Sequence, residues 1–162
     1  MSVAFRRESD EEVLEPKFDQ PIPPGPNLVT ANGLAQIEAR IGALDAVLSG
    51  ALADAERAER ERERRYWRVR LGSAQIAPMP PPGQVGFGSR VRFVLDGVER
   101  KVTIVGSDEA DPATGMIGFN SPLARALMQA RVGDTVDFQG RAEAIAVLEI
   151  DGAALAGTGA RD

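Results

Sequence analysis

Clusters of carboxylates are the candidate chemical groups of this sequence, and the chain contains no cysteine and no histidine. This composition excludes disulfides, thiol nucleophiles, an imidazole base and structural zinc of the usual kind. Three acids, Asp45, Asp54 and Glu56, flank a predicted turn at Ser49–Gly50. Asp45 could approach Asp54 across a hairpin and form a metal site, whereas Asp54 and Glu56 do not share a helix face. We expect solvated acids there rather than a metal site.

A second group of acids, Asp108, Glu109 and Asp111, precedes a glycine turn and suggests a metal-binding loop. The spacing differs from that of an EF-hand, which needs several oxygen ligands within a loop of about twelve residues. The sequence therefore favours an acidic surface loop, which could meet a basic patch on a partner.

The segment from Asn120 to Phe138 has the most specific local pattern. Ser121 is a good N-cap, and Pro122 follows it at the first helical position, where proline is tolerated. An exposed helix start offers unpaired amides to an acidic or carbonyl partner. Apolar residues then fall on one helical face, at Leu123, Ala126, Leu127 and Ala130. Gly133–Asp134 turns the chain into an alternating strand, so the segment predicts a capped helix, a tight turn and a strand.

The N-terminal half predicts an antiparallel helical hairpin that would carry the first three acids. Residues 30–48 form the first helix, whose apolar residues repeat as in a coiled-coil seam: Leu34, Ile37, Ile41, Leu44 and Leu48. Ser49–Gly50 ends this helix, and a second one, rich in arginine and glutamate, runs from about Leu52 to Gln75. The prolines of Pro78–Gly83 end the hairpin.

The remaining chain, from Val85 to Ile150, has the pattern of short strands, with hairpin turns at Asp96–Gly97 and Gln139–Gly140. Together with the helix after Ser121, this predicts an α+β domain: a small antiparallel sheet with one short helix packed on it. The predicted organisation is a flexible, acidic and proline-rich leader (1–28), the helical hairpin (29–77), a proline-rich linker (78–84), the β domain (85–150) and a flexible tail (151–162).

Charge and hydropathy limit the classes of function. The net charge of −5 gives no general attraction to nucleic acid. No apolar stretch is long enough to span a membrane, and no apolar run follows Arg6 and Arg7, so we expect neither a membrane anchor nor a signal peptide. The absence of cysteine fits a cytoplasmic protein.

Three blocks of the chain resemble the bacterial GreA/GreB transcription elongation factors. The first is Val29–Leu34, at the start of the hairpin, and the second is Leu71–Ile76, at its end. The third lies in the β domain, where the family's order is followed by Phe87–Val91, Val105–Asp111, Ser121–Leu127, Val132–Asp134 and Val147–Ile150. The resemblance implies an FKBP-like C-terminal domain, a coiled-coil arm and binding to RNA polymerase at the mouth of its secondary channel.

The arm departs from the family. Only 48 residues run from Val29 to Ile76, and helices of about 18 to 24 residues rise roughly 27 to 36 Å. Gre arms are longer, and their tip acids reach the polymerase active centre, where they hold a second Mg²⁺ for transcript cleavage. No such tip motif stands here, and Asp45, Asp54 and Glu56 are the nearest acids. We therefore expect no catalytic residue and no cofactor, with an arm as short as that of the Rnk-like relatives.

By this resemblance we expect partner contacts at Ser121, Pro122, Leu123 and Arg125, whose helix start faces the polymerase in the family, and at the loop acids Asp108 and Asp111. The chain is predicted to be a cytoplasmic monomer that binds RNA polymerase, meets DNA and RNA only through the elongation complex, and regulates elongation without being an enzyme. Three alternatives stay open: a full transcript-cleavage factor, an FKBP-like peptidyl-prolyl isomerase, and a regulator of another protein, like the Rnk-like relatives.

Overall fold

A helical arm forms the N-terminal half of the computed structural model, which describes residues 19–151. Helix α1 (Ala31–Leu48) and helix α2 (Asp54–Ser73) are joined by a short turn and pack side by side. The hydroxyl of Thr30 caps α1 by accepting a hydrogen bond from the Gly33 amide at 2.9 Å. The predicted hairpin is confirmed, and its seam is buried at Ile37, Leu44 and Leu48 and half-buried at Leu34 and Ile41.

The two ends of the arm are tied together by a small parallel sheet. Strand β1 (Asn27–Val29) pairs with strand β2 (Ala74–Ile76), with Asn27 opposite Ala74 and Val29 opposite Ile76. The second helix therefore ends at Ser73 rather than at Gln75, and the last two residues of the predicted leader belong to β1. The rest of the predicted leader, up to residue 18, and the predicted tail from residue 152 lie outside the described residues.

The C-terminal half is a five-stranded sheet with the spatial order β5-β4-β3-β7-β6. Its strands are β3 (Arg90–Leu95), β4 (Val98–Val105), β5 (Met116–Gly118), β6 (Thr135–Phe138) and β7 (Arg141–Asp151). All neighbouring pairs are antiparallel except β4 and β5, which run parallel because a loop and a short 3-10 turn (Pro112–Thr114) return the chain between them. The predicted α+β class is confirmed, with this one parallel pair as the difference.

Both predicted hairpin turns need left-handed backbone. Asp96 and Gly97 have φ values of 54° and 73°, and Gln139 and Gly140 have values of 52° and 76°. Two consecutive positive φ angles match the twist of the flanking antiparallel strands. The dipeptides at these positions therefore determine where β3 returns as β4 and where β6 returns as β7.

Helix α3 (Pro122–Leu127) covers the core of the sheet. Ala124 and Leu127 on this helix are fully buried, and so are Phe93 on β3 and Ile104 on β4. The apolar pattern of the sequence continues to Ala130, but the helix ends at Leu127 and Gln129 has a φ of 69°. Of the helices in residues 19–151, none has the length and apolar character that crossing a membrane requires.

Candidate functional site

The tip of the arm is closed by an arginine. The Arg57 guanidinium donates to the carbonyl oxygen of Leu48, through Nη1 at 2.9 Å, and to that of Gly50, through Nη2 at 2.9 Å. These carbonyls lie at the C-terminal end of α1, where helical carbonyls have no partner within the helix and a positive charge is favourable. Arg57 is not predictable from the sequence as the residue that joins the two helices, because nothing local marks it.

The three candidate tip acids lie apart. Asp45 accepts hydrogen bonds from Arg64 Nη1 at 2.9 Å and Arg68 Nη2 at 3.4 Å, so it faces the middle of α2. Asp54 lies in the first turn of α2, about 15 Å along the helix axis from Arg64. Asp54 and Glu56 are both exposed. Within residues 19–151, no group of three or more acids is arranged to hold a metal ion.

The predicted contact residues at the start of α3 form a small surface beside the sheet. The Ser121 hydroxyl accepts a hydrogen bond from the Ala124 amide at 3.3 Å, which uses one of the free amides of the helix start. Pro122 and Arg125 are exposed, whereas Leu123 is half-buried and packs against the core. The surface available to a partner is therefore made by Pro122 and Arg125, with Leu123 anchoring the helix beneath them.

The acidic loop after β4 faces the arm. Asp108 accepts a hydrogen bond from Arg70 Nε at 2.5 Å and another from the Tyr66 hydroxyl at 2.5 Å. Arg70 also donates through Nη2 to Asn27 Oδ1 at 2.6 Å. The Arg70 and Asp108 side chains are only 3% and 9% exposed, so this is a buried ion pair between α2 and the C-terminal domain.

Glu109, the neighbour of Asp108, holds the other helix. Its two carboxylate oxygens accept hydrogen bonds from the Thr30 hydroxyl at 2.5 Å and from Asn32 Nδ2 at 3.0 Å. Glu109 is itself buried. The prediction of an acidic surface loop is thus wrong for Asp108 and Glu109, because polar groups at the base of the arm cover both carboxylates. It holds for Asp111, which is exposed and accepts a hydrogen bond from the Ala113 amide at 3.2 Å.

The contact between arm and domain is also close at the backbone. A Cβ atom on Gly106 would overlap the carbonyl oxygen of Leu28 in β1, so glycine is the residue that permits this approach. Two observations therefore distinguish the base of the arm from its tip: side chains paired out of solvent, and main chain packed against main chain.

The pKa of the Tyr66 hydroxyl is raised to about 12, first by burial and then by the hydrogen bond to Asp108 and the charge of that carboxylate. The positive charge of Arg70 acts in the opposite direction. Tyr66 is therefore held as a neutral hydrogen-bond donor, which is the form that Asp108 requires.

The side chains that pair at the base of the arm lie far apart in the sequence. Arg70 and Asp108 are separated by 38 residues and Thr30 and Glu109 by 79, so no local spacing links them. One local feature points weakly to the contact with Glu109. Helix α1 has no acidic residue in its first turn, so the partial positive charge at its N-terminal end can be balanced only by an acid from elsewhere in the chain.

Comparison with known proteins identifies the C-terminal domain. Residues 80–151 match the family model described as "Transcription elongation factor, GreA/GreB, C-term". "Transcription elongation factor GreA" of Haemophilus influenzae is 45% identical over 73 residues, which cover 42% of this chain and 46% of that protein. The same-named protein of Geobacillus kaustophilus is 48% identical over 60 residues, covering 36% of this chain and 38% of that protein. The chain therefore spans less than half the length of these curated relatives.

The chain is also similar to a solved structure. The crystal structure of GreA factor homolog 1 (Gfh1) of Thermus thermophilus is 22% identical, covers 79% of this chain and all of its own, and superposes with a TM-score of 0.37. The sequence match shows that residues 80–151 are similar to the C-terminal domain of the GreA/GreB transcription elongation factors.

Proposed function

We propose that this protein binds bacterial RNA polymerase at the rim of the secondary channel and regulates transcription elongation without stimulating transcript cleavage. The observation that carries the proposal is a short, arginine-closed arm on a domain that matches the GreA/GreB family. Helix α1 has 18 residues, and a helix of that length rises about 27 Å. The arm then occupies the mouth of the channel and excludes longer factors that use the same entrance.

The start of α3 is the proposed contact of the C-terminal domain with the polymerase. Exposed Pro122 offers a rigid apolar contact and exposed Arg125 a positive charge, on a helix that Ser121 caps and Leu123 anchors. Exposed Asp111 extends this proposal to the neighbouring loop. Asp108 contributes indirectly, because its carboxylate already has two partners inside the chain.

This role requires neither a catalytic centre nor a cofactor in the chain, and DNA and RNA would be met only within the elongation complex. A monomer located in the cytoplasm, where the polymerase works, is the simplest form of the proposal. Nothing in residues 19–151 favours the peptidyl-prolyl isomerase alternative or a regulator of some other protein.

The binding test uses the full chain and immobilised core RNA polymerase. Arg125→Glu and Pro122→Ala should each weaken binding, the charge reversal by about tenfold or more, because both change the proposed contact directly. Arg100→Glu is the matched control, since Arg100 is exposed on β4 and undergoes the same charge change. Unchanged affinity in both α3 variants, or an equal loss in the control, would contradict the proposed surface.

A second assay separates the proposal from the full cleavage function. Backtracked elongation complexes are incubated with the chain, and short 3′ RNA fragments are measured. We expect no stimulation, because Asp54 and Glu56 lie two residues apart on α2 and so do not share a helix face, and because the arm is short. Stimulated cleavage that is lost in Asp54→Asn or Glu56→Gln would establish the alternative instead.

A further inference from the structure

Two adjacent residues of the C-terminal domain hold the two helices of the arm at once. Asp108 binds Arg70 in the last turn of α2, and Glu109 binds Thr30 and Asn32 at the start of α1. We call these contacts, made by the loop residues 106–110 with the base of the arm, the junction. Because consecutive residues of one loop grip the two helices, rotation of the arm about either contact would break the other.

The charges of the junction match the helix ends that they meet. The N-terminal end of α1 carries a partial positive charge and has no acidic residue in its own first turn. Buried Glu109 supplies a negative charge at this end, and its partners within residues 19–151 are the neutral side chains of Thr30 and Asn32. Arg70 correspondingly places a positive charge in the last turn of α2.

Close packing makes the junction stiff as well as paired. A Cβ atom on Gly33 would meet Glu109 Oε2 at 2.6 Å, and one on Gly106 would overlap the Leu28 carbonyl oxygen. The junction therefore leaves little space for the domain to shift against the arm. By contrast, the ion pairs on the outer face of the sheet, such as Arg92 with Glu149, are about half exposed on the acidic side.

We propose that Asp108 and Glu109 are positioning residues that hold the arm at one angle to the C-terminal domain, so that arm and domain engage the polymerase together. The joint binding to the polymerase rests on the proposed function, whereas the fixed angle between arm and domain does not depend on that function. Two linked contacts bind more tightly than either contact alone only if the geometry allows both to form at once. A freely swinging arm would lose part of this gain, which we expect to be about tenfold in affinity.

The angle can be measured without the polymerase. Spin labels are attached to cysteines introduced at Ala46 and Val98, both exposed, and the chain has no cysteine of its own to compete. Double electron–electron resonance should give a narrow distance distribution in the parent protein. In the variant Asp108→Asn with Glu109→Gln, we expect a distribution at least twice as broad. Glu149→Gln is the matched control, because it neutralises an exposed, ion-paired acid away from the junction.

The same three proteins, unlabelled, are then tested for binding to core RNA polymerase. Affinity that falls about tenfold in the junction variant, together with the broader distribution, supports the inference. A distribution as narrow as that of the parent overturns it. If the parent does not bind the polymerase, the proposed function fails while the distances still decide whether the junction fixes the arm. If the double variant does not fold, Glu109→Gln alone is measured by the same criterion, since glutamine removes the charge but keeps a hydrogen-bonding oxygen.

Discussion

Replacing Arg70 by methionine tests the buried ion pair between arm and domain. The Arg70→Met change keeps a long apolar stem and removes the guanidinium, which leaves the Asp108 carboxylate with only the Tyr66 hydroxyl and frees the side-chain oxygen of Asn27. Removing one partner of a buried pair costs about 3 to 5 kcal/mol, because the remaining charge is left without compensation. For a domain of this size, the lower figure corresponds to a fall in melting temperature of roughly 10 °C.

Urea denaturation measures this loss through Trp67, the only tryptophan of the chain, which lies one turn from Arg70 on α2. Asp108→Leu added to Arg70→Met should recover a large part of the stability, because the unpaired charge is then gone. Arg92→Met is the control, since Arg92 pairs with exposed acids on the sheet surface and such pairs contribute little. A loss in Arg70→Met no greater than in this control would refute the view that burial makes the pair important.

Three further predictions concern single positions. Tyr66 is the only tyrosine, and because its pKa is raised to about 12, the stability of the protein should fall as the pH rises from about 10 to about 12. In Asp108→Asn, the midpoint of the tyrosine absorbance titration should move back toward about 10. An unchanged midpoint would contradict the contact between Tyr66 and Asp108. Arg57→Ala should lower the free energy of unfolding by about 1 to 2 kcal/mol and speed hydrogen exchange in the turn between the arm helices, whereas equal exchange would mean that the guanidinium does not close the tip. Gly106→Ala should cost about 1 to 3 kcal/mol in thermal unfolding because its Cβ meets main chain, while Gly72→Ala, with open space around it on α2, should be neutral or stabilising; equal effects would contradict the close approach.

The elements that follow from periodicity and turn chemistry were predictable from the sequence. The seam of α1 repeats with the helical period, and Ser121 and Pro122 mark the start of α3 by their conformational preferences alone. Asp96 and Gly97 likewise specify the turn between β3 and β4, because that turn needs two left-handed residues. Each of these signals lies within a few residues of the feature that it produces.

The junction could not be predicted, because its specificity lies in pairs far apart in sequence. An isolated Asp108 or Glu109 in a polar loop is indistinguishable from a solvated acid until the fold brings Arg70 and Thr30 to it. The strands β1 and β2 could not be predicted for a related reason. Each has only three residues, too few to show an alternation of apolar and polar side chains, and the whole arm separates the two strands in the sequence. The contact surface that we propose on α3 was predicted from the family resemblance and not from the local pattern.

The parallel pairing of β1 with β2 has a consequence for how such proteins diversify. Since the chain leaves and rejoins the body at neighbouring points, residues can be gained or lost at the far end of the arm without disturbing its attachment. Insertions or deletions of about seven residues in each helix would keep the apolar stripe in phase. The length of the arm can thus change in evolution almost independently of the C-terminal domain, and a designer could lengthen the arm in the same increments.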